Sequence, residues 1–388
     1  MGTKPRHAEV IGAGISGLSA ATALARRGWS VRVHERSAEV RASGSGIYLW
    51  GNGLAVLGEF GVLDFALEGA HYGRAFRTRD HRDRDLGRHP VNTNSGTQVV
   101  TILRERLISS LLSAATTAGV DVVASSTVSR VDPDGNLEFA DGTQSAADLV
   151  VVANGVNSRL RDQLDLVHRR RRLGQSCARV MIRREPGLVA KEWEDDYVEL
   201  YSGKRFVLYT PTSADELYLA LVAPSTDRQA LGDTLPFRSW IDSFPQLENL
   251  FTTIGPAPIH RWDDFERVDL HSWSKGKVAV IGDAAHAQPP YLGQGGGCAM
   301  GAALGLAEAL QSPGALTTQL RDWERRERPL IEHTQRFSYW LGRMNNVPDT
   351  PRTTILRALG HSAAFGRSRL RAASSRPHGV GAVGLSTN

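Results

Sequence analysis

Gly12-Ala13-Gly14-Ile15-Ser16-Gly17 follows an apolar run at residues 8–11 and opens an alanine-rich helical stretch at residues 18–26. Glycines at this spacing on a strand-to-helix turn seat a pyrophosphate. Gly12 permits the tight turn, Gly14 lets backbone approach phosphate, and Gly17 lets the helix pack on the strand. The helix N-terminus turns unpaired N–H groups and the positive dipole end toward the anion, and Ile15 and Ser16 of the turn join the glycines in the expected cofactor contact. Glu35 closes the next apolar strand, about twenty residues on, where a carboxylate accepts hydrogen bonds from an adenosine ribose. The turn alone leaves NAD and FAD undecided. Around it the first third of the chain alternates strands and helices, with a helical run near residues 52–57, a helix at 105–118, a strand at 121–124 and a fully apolar strand at 149–153. This is the patterning of a parallel α/β sheet.

The chain has 388 residues, 41% of them apolar and 22% charged, enough for two domains around a substantial core. Its net charge of +5 is spread among acidic residues with no aromatic interleaving, which argues against nucleic acid. The local exception is His168-Arg169-Arg170-Arg171-Arg172, expected as a solvated loop between domains, with steering of nicotinamide-cofactor phosphates as the sharper alternative. Two cysteines, Cys177 and Cys298, lie far apart in no ligand-like spacing, so neither a disulfide framework nor a metal site is expected. A reducing cytoplasmic home follows. The start of the chain reads as neither signal peptide nor membrane span.

Turn signals at residues 132–135 and 141–142 mark a hairpin-like pair. From 174 to 268 polar and apolar residues alternate with many aromatics, the texture of an antiparallel sheet, and residues 277–281 return to a buried-strand pattern. Helical patterning follows at 302–311 and 316–344, interrupted at Pro329, and a loose tail is expected beyond 371.

The strand at 277–281 ends in Gly282-Asp283-Ala284-Ala285-His286, followed by Pro289-Pro290 and Gly293-Gln294-Gly295-Gly296-Gly297. Asp283 at a strand end suits sugar-alcohol hydroxyls. The glycine cluster opens a helix whose bare N–H groups face a planar ligand carbonyl. Together with the first turn these residues describe the two ends of one dinucleotide.

At residues 9–344 the chain resembles the group A aromatic-ring monooxygenases, typified by 4-hydroxybenzoate and salicylate hydroxylases. The likeness rests on both glycine segments, Glu35, Arg104 after its apolar lead-in, and Asn154-Gly155-Val156-Asn157-Ser158-Arg159. It implies an α/β fold with an α+β insertion. A Rossmann-like FAD-binding domain takes residues 1–75, 97–173 and 269–312. A mostly antiparallel β-sheet substrate domain takes 76–96 and 174–268, C-terminal helices 313–370 and the loose tail 371–388. FAD is the implied cofactor and NADH or NADPH the co-substrate. Glu35 would hold the adenosine ribose with Arg36 and Arg41 nearby, Arg104 would lie along the FAD, and Asp283 would hold the ribityl chain. Asn154, Gly155, Gly282, Pro290, Gly293, Gly295, Gly296 and Gly297 complete the cofactor set.

Residues 46–54, 205–211, 216–219 and 297–300 look like the 2-methyl-3-hydroxypyridine-5-carboxylic acid oxygenase branch. That likeness places Tyr48, Arg205, Tyr209 and Tyr218 around a substrate ring, with Arg205 pairing a carboxylate and Pro290 walling the pocket. Two departures stand out: Trp262 or Phe265 replaces the branch's tyrosine, and Asn154 stands where the superfamily carries an aspartate. The first puts the same substrate in doubt; the second reads as altered nicotinamide handling or as a plain Asn-Gly turn. The implied reaction is NAD(P)H- and O2-dependent hydroxylation, with or without ring opening, of a small electron-rich aromatic or hydroxypyridine carboxylate through a C4a-hydroperoxyflavin. The enzyme is expected as a monomer or homodimer. Tailoring of a larger natural product by hydroxylation, epoxidation or Baeyer-Villiger insertion is the rival within enzymes. A flavin-free dehydrogenase and a non-enzymatic flavin-binding regulator are the rivals outside the class.

Overall fold

A computed structural model describes residues 5–40, 44–93 and 97–381. The apolar runs assemble as a six-stranded sheet in the order Ser274–Lys275, Val278–Val280, Leu149–Val152, His7–Ile11, Ser30–His34, Asp121–Val123. Every pair is parallel except the first. Leu149 to Val152 are fully buried because helices pack on one face of the sheet and the antiparallel strands at residues 128–146 on the other, where Phe139 meets His34 and Ser145 meets Glu9, which is why the segment carries no polar alternation. The helices Ile15–Ala25 and Gly295–Ala309 pack closely on each other, and both are rich in Ala and Gly and buried around almost their whole circumference. The hairpin-like region forms a three-stranded antiparallel sheet, Val128–Val131, Asn136–Phe139 and Gln144–Ala146, and the Asp132 carboxylate fixes its first turn by accepting from Asp134 and Asn136 N–H.

Residues 75–90 and 167–270 build a seven-stranded sheet in the order Trp262–Leu270, Val167–Arg183, Glu216–Pro224, Arg205–Pro211, Tyr197–Ser202, Ala75–Asp80, Asp85–Pro90. It is antiparallel apart from the pairing of Tyr197–Ser202 with Ala75–Asp80. Its outer face is covered by the helices Phe237–Ser243 and Glu248–Ile254, whose Trp240 and Phe251, with Phe244 just after the first helix, enter a core with Val198, Val207, Leu219 and Leu221. Its inner face turns toward the parallel sheet and its helices.

Three expectations are corrected. The basic run at 168–172 is no loop: it belongs to strand Val167–Arg183 and pairs with Trp262–Leu270, where Glu266 takes Arg170 and Asp269 lies against Arg171. Acidic cross-strand partners make a basic strand stable. The helix Leu316–Arg343 passes Pro329 without a break. Pro329 sits on its exposed side, where water can satisfy the carbonyl that lacks an N–H partner. The tail is packed as far as residue 381, with Ala372 and Ala373 buried, Asn52 N–H donating to the Ala373 carbonyl at 3.2 Å, and Gly381 N–H to Glu59 Oε2 at 2.9 Å. Small residues fit against the helix surfaces there and leave no periodic signature; residues 382–388 lie outside the described part. Among the described residues no helix is long and apolar enough to cross a membrane.

Candidate cofactor and substrate site

The strands His7–Ile11, Leu149–Val152 and Val278–Val280 run side by side in parallel, so their C-terminal ends deliver Gly12, Asn154 and Gly282 to one edge of the sheet. That edge is where open α/β sheets bind ligands. Gly12, at φ +105°, donates its N–H to the His34 carbonyl at 2.8 Å, and a Cβ there would sit 2.7 Å from the Ala153 oxygen. A Cβ on Gly17 would lie 1.9 Å from the Gly12 oxygen. Both glycines are therefore demanded by the chain itself. Gly14 differs: its Cβ would meet no protein atom within 4 Å, so packing does not require the glycine and its open side leaves room for a phosphate to approach the backbone. Glu35 is fixed beside the turn, its carboxylate accepting from Ala13 N–H and Ser37 N–H, each at 3.0 Å. Arg36 is exposed next to it, and Arg41 lies outside the described residues. Asn154 and Gly155 sit exposed and half-buried beside Gly12, at the end of their strand.

The two glycine-rich segments, far apart in sequence, touch. At Gly282, φ +60°, a Cβ would fall 2.3 Å from Ser16 Oγ on the first glycine turn. Further along, a Cβ on Gly293 would meet the Tyr48 side chain at 3.1 Å, and one on Gly296 would meet Ile47 at 3.4 Å and Ile15 at 3.8 Å. Helix Gly295–Ala309 thus starts in a narrow gap between the first turn and strand Gly46–Trp50, and its first-turn N–H groups have no carbonyl of their own helix to bond. Beside them Gln288 Oε1 and Gln294 Oε1 are buried without a partner among the described residues. Acceptor-hungry N–H groups at both ends of one cleft fit a dinucleotide bearing a flat, carbonyl-edged ring.

Asp283 and Arg104, both open to the cleft, face each other across it. The protein walls around the cleft push the Asp283 carboxyl up, while Arg104 and then Arg179 pull it back down. The same enclosure lowers the Arg104 pKa against the opposing charge of Asp283. His286, tilted against Trp273 at 5.1 Å between centroids, is pushed down to about 4 by burial and stays neutral as a packing residue. Pro290 is exposed at the start of the turn Pro290–Leu292, which is held by Ser338 on the Pro289 carbonyl and by Tyr291, whose hydroxyl donates to Gln175 Oε1 at 2.7 Å.

The seven-stranded sheet separates the four residues expected around a substrate ring. Tyr48 and Tyr218 reach the inner side. The Tyr48 hydroxyl lies 2.6 Å from Thr210 Oγ1, and Tyr218 packs under Gly46, where a Cβ would come within 2.8 Å of it. Burial raises both phenol pKa values and keeps them protonated. Arg205 and Tyr209 point the other way, and their assignment to the ring is corrected. Arg205 is bound by Asp227 through Nε at 2.8 Å and Nη2 at 3.1 Å, and by the Ser239 carbonyl through Nη1 at 2.6 Å, over the Trp240 ring. The Tyr209 hydroxyl donates to the Glu194 carbonyl at 2.9 Å, with its ring edge-on to Trp193. Side chains alternate along a strand, so Arg205, Val207 and Tyr209 share the outer face while Phe206, Leu208 and Thr210 share the inner one. Trp262 also faces outward, its indole N–H on the Gly232 carbonyl at 2.9 Å, whereas Phe265 packs inward against Tyr291.

The inner face carries an arginine that the sequence motifs did not single out. Arg179 shares a strand face with Cys177 and Met181, is ion-paired with Asp263 on the neighbouring strand, and reaches Tyr218. Its signal was a lone charge in the alternating run Cys177-Ala178-Arg179-Val180-Met181, legible only once the face of that strand is known.

Residues 7–323 match the family described as FAD binding domain. The chain belongs to this family. It is a flavin-dependent monooxygenase of the aromatic-hydroxylating group, built on the fold of the pyridine oxygenase branch. A Rhodococcus erythropolis protein, AqdB1, named provisionally as a 2-heptyl-3-hydroxy-4(1H)-quinolone synthase, is 58% identical over 374 residues, covering 96% of this chain and 97% of the relative. The 2-heptyl-3-hydroxy-4(1H)-quinolone synthase of Mycobacteroides abscessus is 45% identical, covering 94% of this chain and 97% of the relative. The crystal structure of 2-methyl-3-hydroxypyridine-5-carboxylic acid oxygenase, in a cysteine-to-alanine mutant, superposes with a TM-score of 0.86 at 35% identity, covering 96% of this chain and 98% of that one.

Proposed function

We propose that this monooxygenase hydroxylates ring carbon 3 of a neutral 2-alkyl-4(1H)-quinolone, with NADH or NADPH as reductant and in the cytoplasm. The observation that carries the reading is the disposition of arginines on the seven-stranded sheet. Arg205, the residue suited to a substrate carboxylate, is consumed by Asp227 and Ser239 on the outer face, and Arg179 on the inner face is already neutralised by Asp263. The remaining inner surface, with Tyr48, Met181, Leu208 and Tyr218, suits an uncharged ring bearing an alkyl chain. The names of the two quinolone-synthase relatives point to the same compound class.

The residues Gly12 to Gly17, Glu35, Arg104, Asp283 and Gly293 to Gly297 would hold FAD, which supplies oxygen activation and accepts electrons from the nicotinamide. The protein's own work is placement. Tyr218, kept protonated by burial and backed by Arg179, is a donor for the quinolone 4-oxo group and stabilises the charge that gathers there. Pro290 and Tyr48 wall the ring, and the aromatic packing around Tyr48 excludes water. Carbon 3 is already electron-rich through conjugation with the ring nitrogen, so a strong protein base is unnecessary. In balance, quinolone, O2, NAD(P)H and one proton give the 3-hydroxyquinolone, water and NAD(P)+. The test is substrate-stimulated NAD(P)H oxidation by the purified flavoprotein with 2-heptyl-4(1H)-quinolone against 2-methyl-3-hydroxypyridine-5-carboxylate, with mass spectrometry of the product. Stimulation by the quinolone and a product heavier by one oxygen is expected; stimulation by the pyridine acid alone overturns the assignment.

A further inference from the structure

On the solvent side of helix Leu316–Arg343 a surface cavity of about 450 Å³ is lined by Arg325, Arg328, Glu332, His333 and Arg336 of the helix and by Arg371 of the C-terminal segment. Most of its charges are accounted for. Arg328 is shared by Glu324 and Glu332, Arg325 takes Asp322 at 2.8 Å, and His333 Nε2 lies 3.1 Å from the Ser368 carbonyl. Arg336 and Arg371 differ: brought to one cavity from two separate elements, neither guanidinium has a hydrogen-bond or carboxylate partner among the described residues, the Arg371 backbone N–H alone donating to the Ser368 carbonyl. Converging like charges are unfavourable unless an anion is shared between them.

One turn further along the same helix face stands Trp340, 42% exposed and seated beside Phe337 and Phe365. A basic cleft next to an open aromatic plane recognises a nucleotide, phosphate on the arginines and base on the ring. The groove is also tied to the cofactor cleft. Two residues before Arg371, the Arg369 carbonyl accepts from Gln294 Nε2 at 2.9 Å, at the start of the glycine-rich helix, and the Arg369 guanidinium pairs with Glu199 on the inner sheet face.

We propose that this groove holds the phosphate-bearing end of the pyridine nucleotide, with a phosphate on Arg336 and Arg371 and the adenine against Trp340. The nucleotide as occupant rests on the reductant named in the proposed function; the phosphate site itself does not. Calorimetry on the flavin-loaded enzyme with inorganic phosphate reads the site without turnover, and steady-state KM values for NADPH and NADH read the occupant. Arg336→Gln and Arg371→Gln are each expected to weaken phosphate and raise the nucleotide KM by about tenfold, the effect of losing a hydrogen bond to a charged group. Trp340→Leu should raise the nucleotide KM while leaving phosphate binding intact. Phosphate binding that the arginine variants do not alter, or its absence from the wild type, overturns the site. Phosphate binding that is lost in those variants while their nucleotide KM stays at the wild-type value overturns the nucleotide as occupant and leaves a free phosphate ion. Failure of quinolone turnover with phosphate binding intact sinks the substrate assignment alone.

Discussion

Along strand Arg205–Pro211 neighbouring residues enter different environments. Arg205, Val207 and Tyr209 go into a closed layer of helices, where the arginine and the phenol each find partners within their own domain. Phe206, Leu208 and Thr210 go toward the cofactor side, where Tyr48 meets Thr210 and partly exposed apolar side chains remain. The outer face is closed into a core while the proposed function gives the inner face to substrate, and a step of one residue decides which side a side chain joins.

The largest effect that would sharpen this contrast lies on the outer face. Arg205→Ala leaves Asp227 with only its backbone donors at Gln229 and Ala230 and frees the Ser239 carbonyl, and should cost about 2 kcal/mol in denaturant unfolding while leaving the quinolone KM unchanged. An altered KM with unaltered stability would place Arg205 on the binding side after all. The same variant should move acid unfolding to higher pH. Burial alone would raise the Asp227 pKa, but Arg205 overrides it and holds the carboxyl below its ordinary value. Its contribution is thus complete above the unfolded-state pKa and disappears as pH falls through the folded one. On the inner face, Tyr218→Phe should lower kcat/KM by about tenfold with little change in unfolding midpoint, as expected for loss of one donor to a developing charge. Its outer counterpart, Tyr209→Phe, should cost about 1 kcal/mol of stability through the orphaned Glu194 carbonyl and leave turnover alone. The smallest effect concerns His286. With its pKa lowered to about 4 by burial, the native state resists a proton that the unfolded chain accepts below about 6.5. Stability should therefore fall as pH drops from about 6.5 toward about 4, by under about 1 kcal/mol between pH 7 and pH 6, and His286→Gln should flatten that slope.

The cofactor half was legible because its signals are local. Gly12, Gly17 and Gly282 are required by contacts with Ala153, Gly12 and Ser16, while Gly14 faces open space, so each residue type reports its own backbone environment. The buried run Leu149–Val152 and the turn at Asp132 were readable for the same reason. The sheet half was less so. Alternation in Arg205–Pro211 and Val167–Arg183 announced strands but not which face would meet the cofactor, so it could not test the ring positions that the family resemblance implies for Arg205 and Tyr209, and it gave Arg179 no mark of its own. The basic run at 168–172 lacked meaning until Glu266 and Asp269 were seen opposite it, nearly a hundred residues away in sequence.

By itself the sequence determined a glycine turn, the acid that closes the next strand and a second glycine cluster, because backbone conformation and close approach restrict which residues can stand there. Only the tertiary structure decided that the two clusters share one edge, that Arg205 belongs to an outer core and Arg179 to the inner face, and that the tail is packed. Those outcomes depend on strand order and on which surface each strand buries, and neither is written in the spacing of residues along the chain.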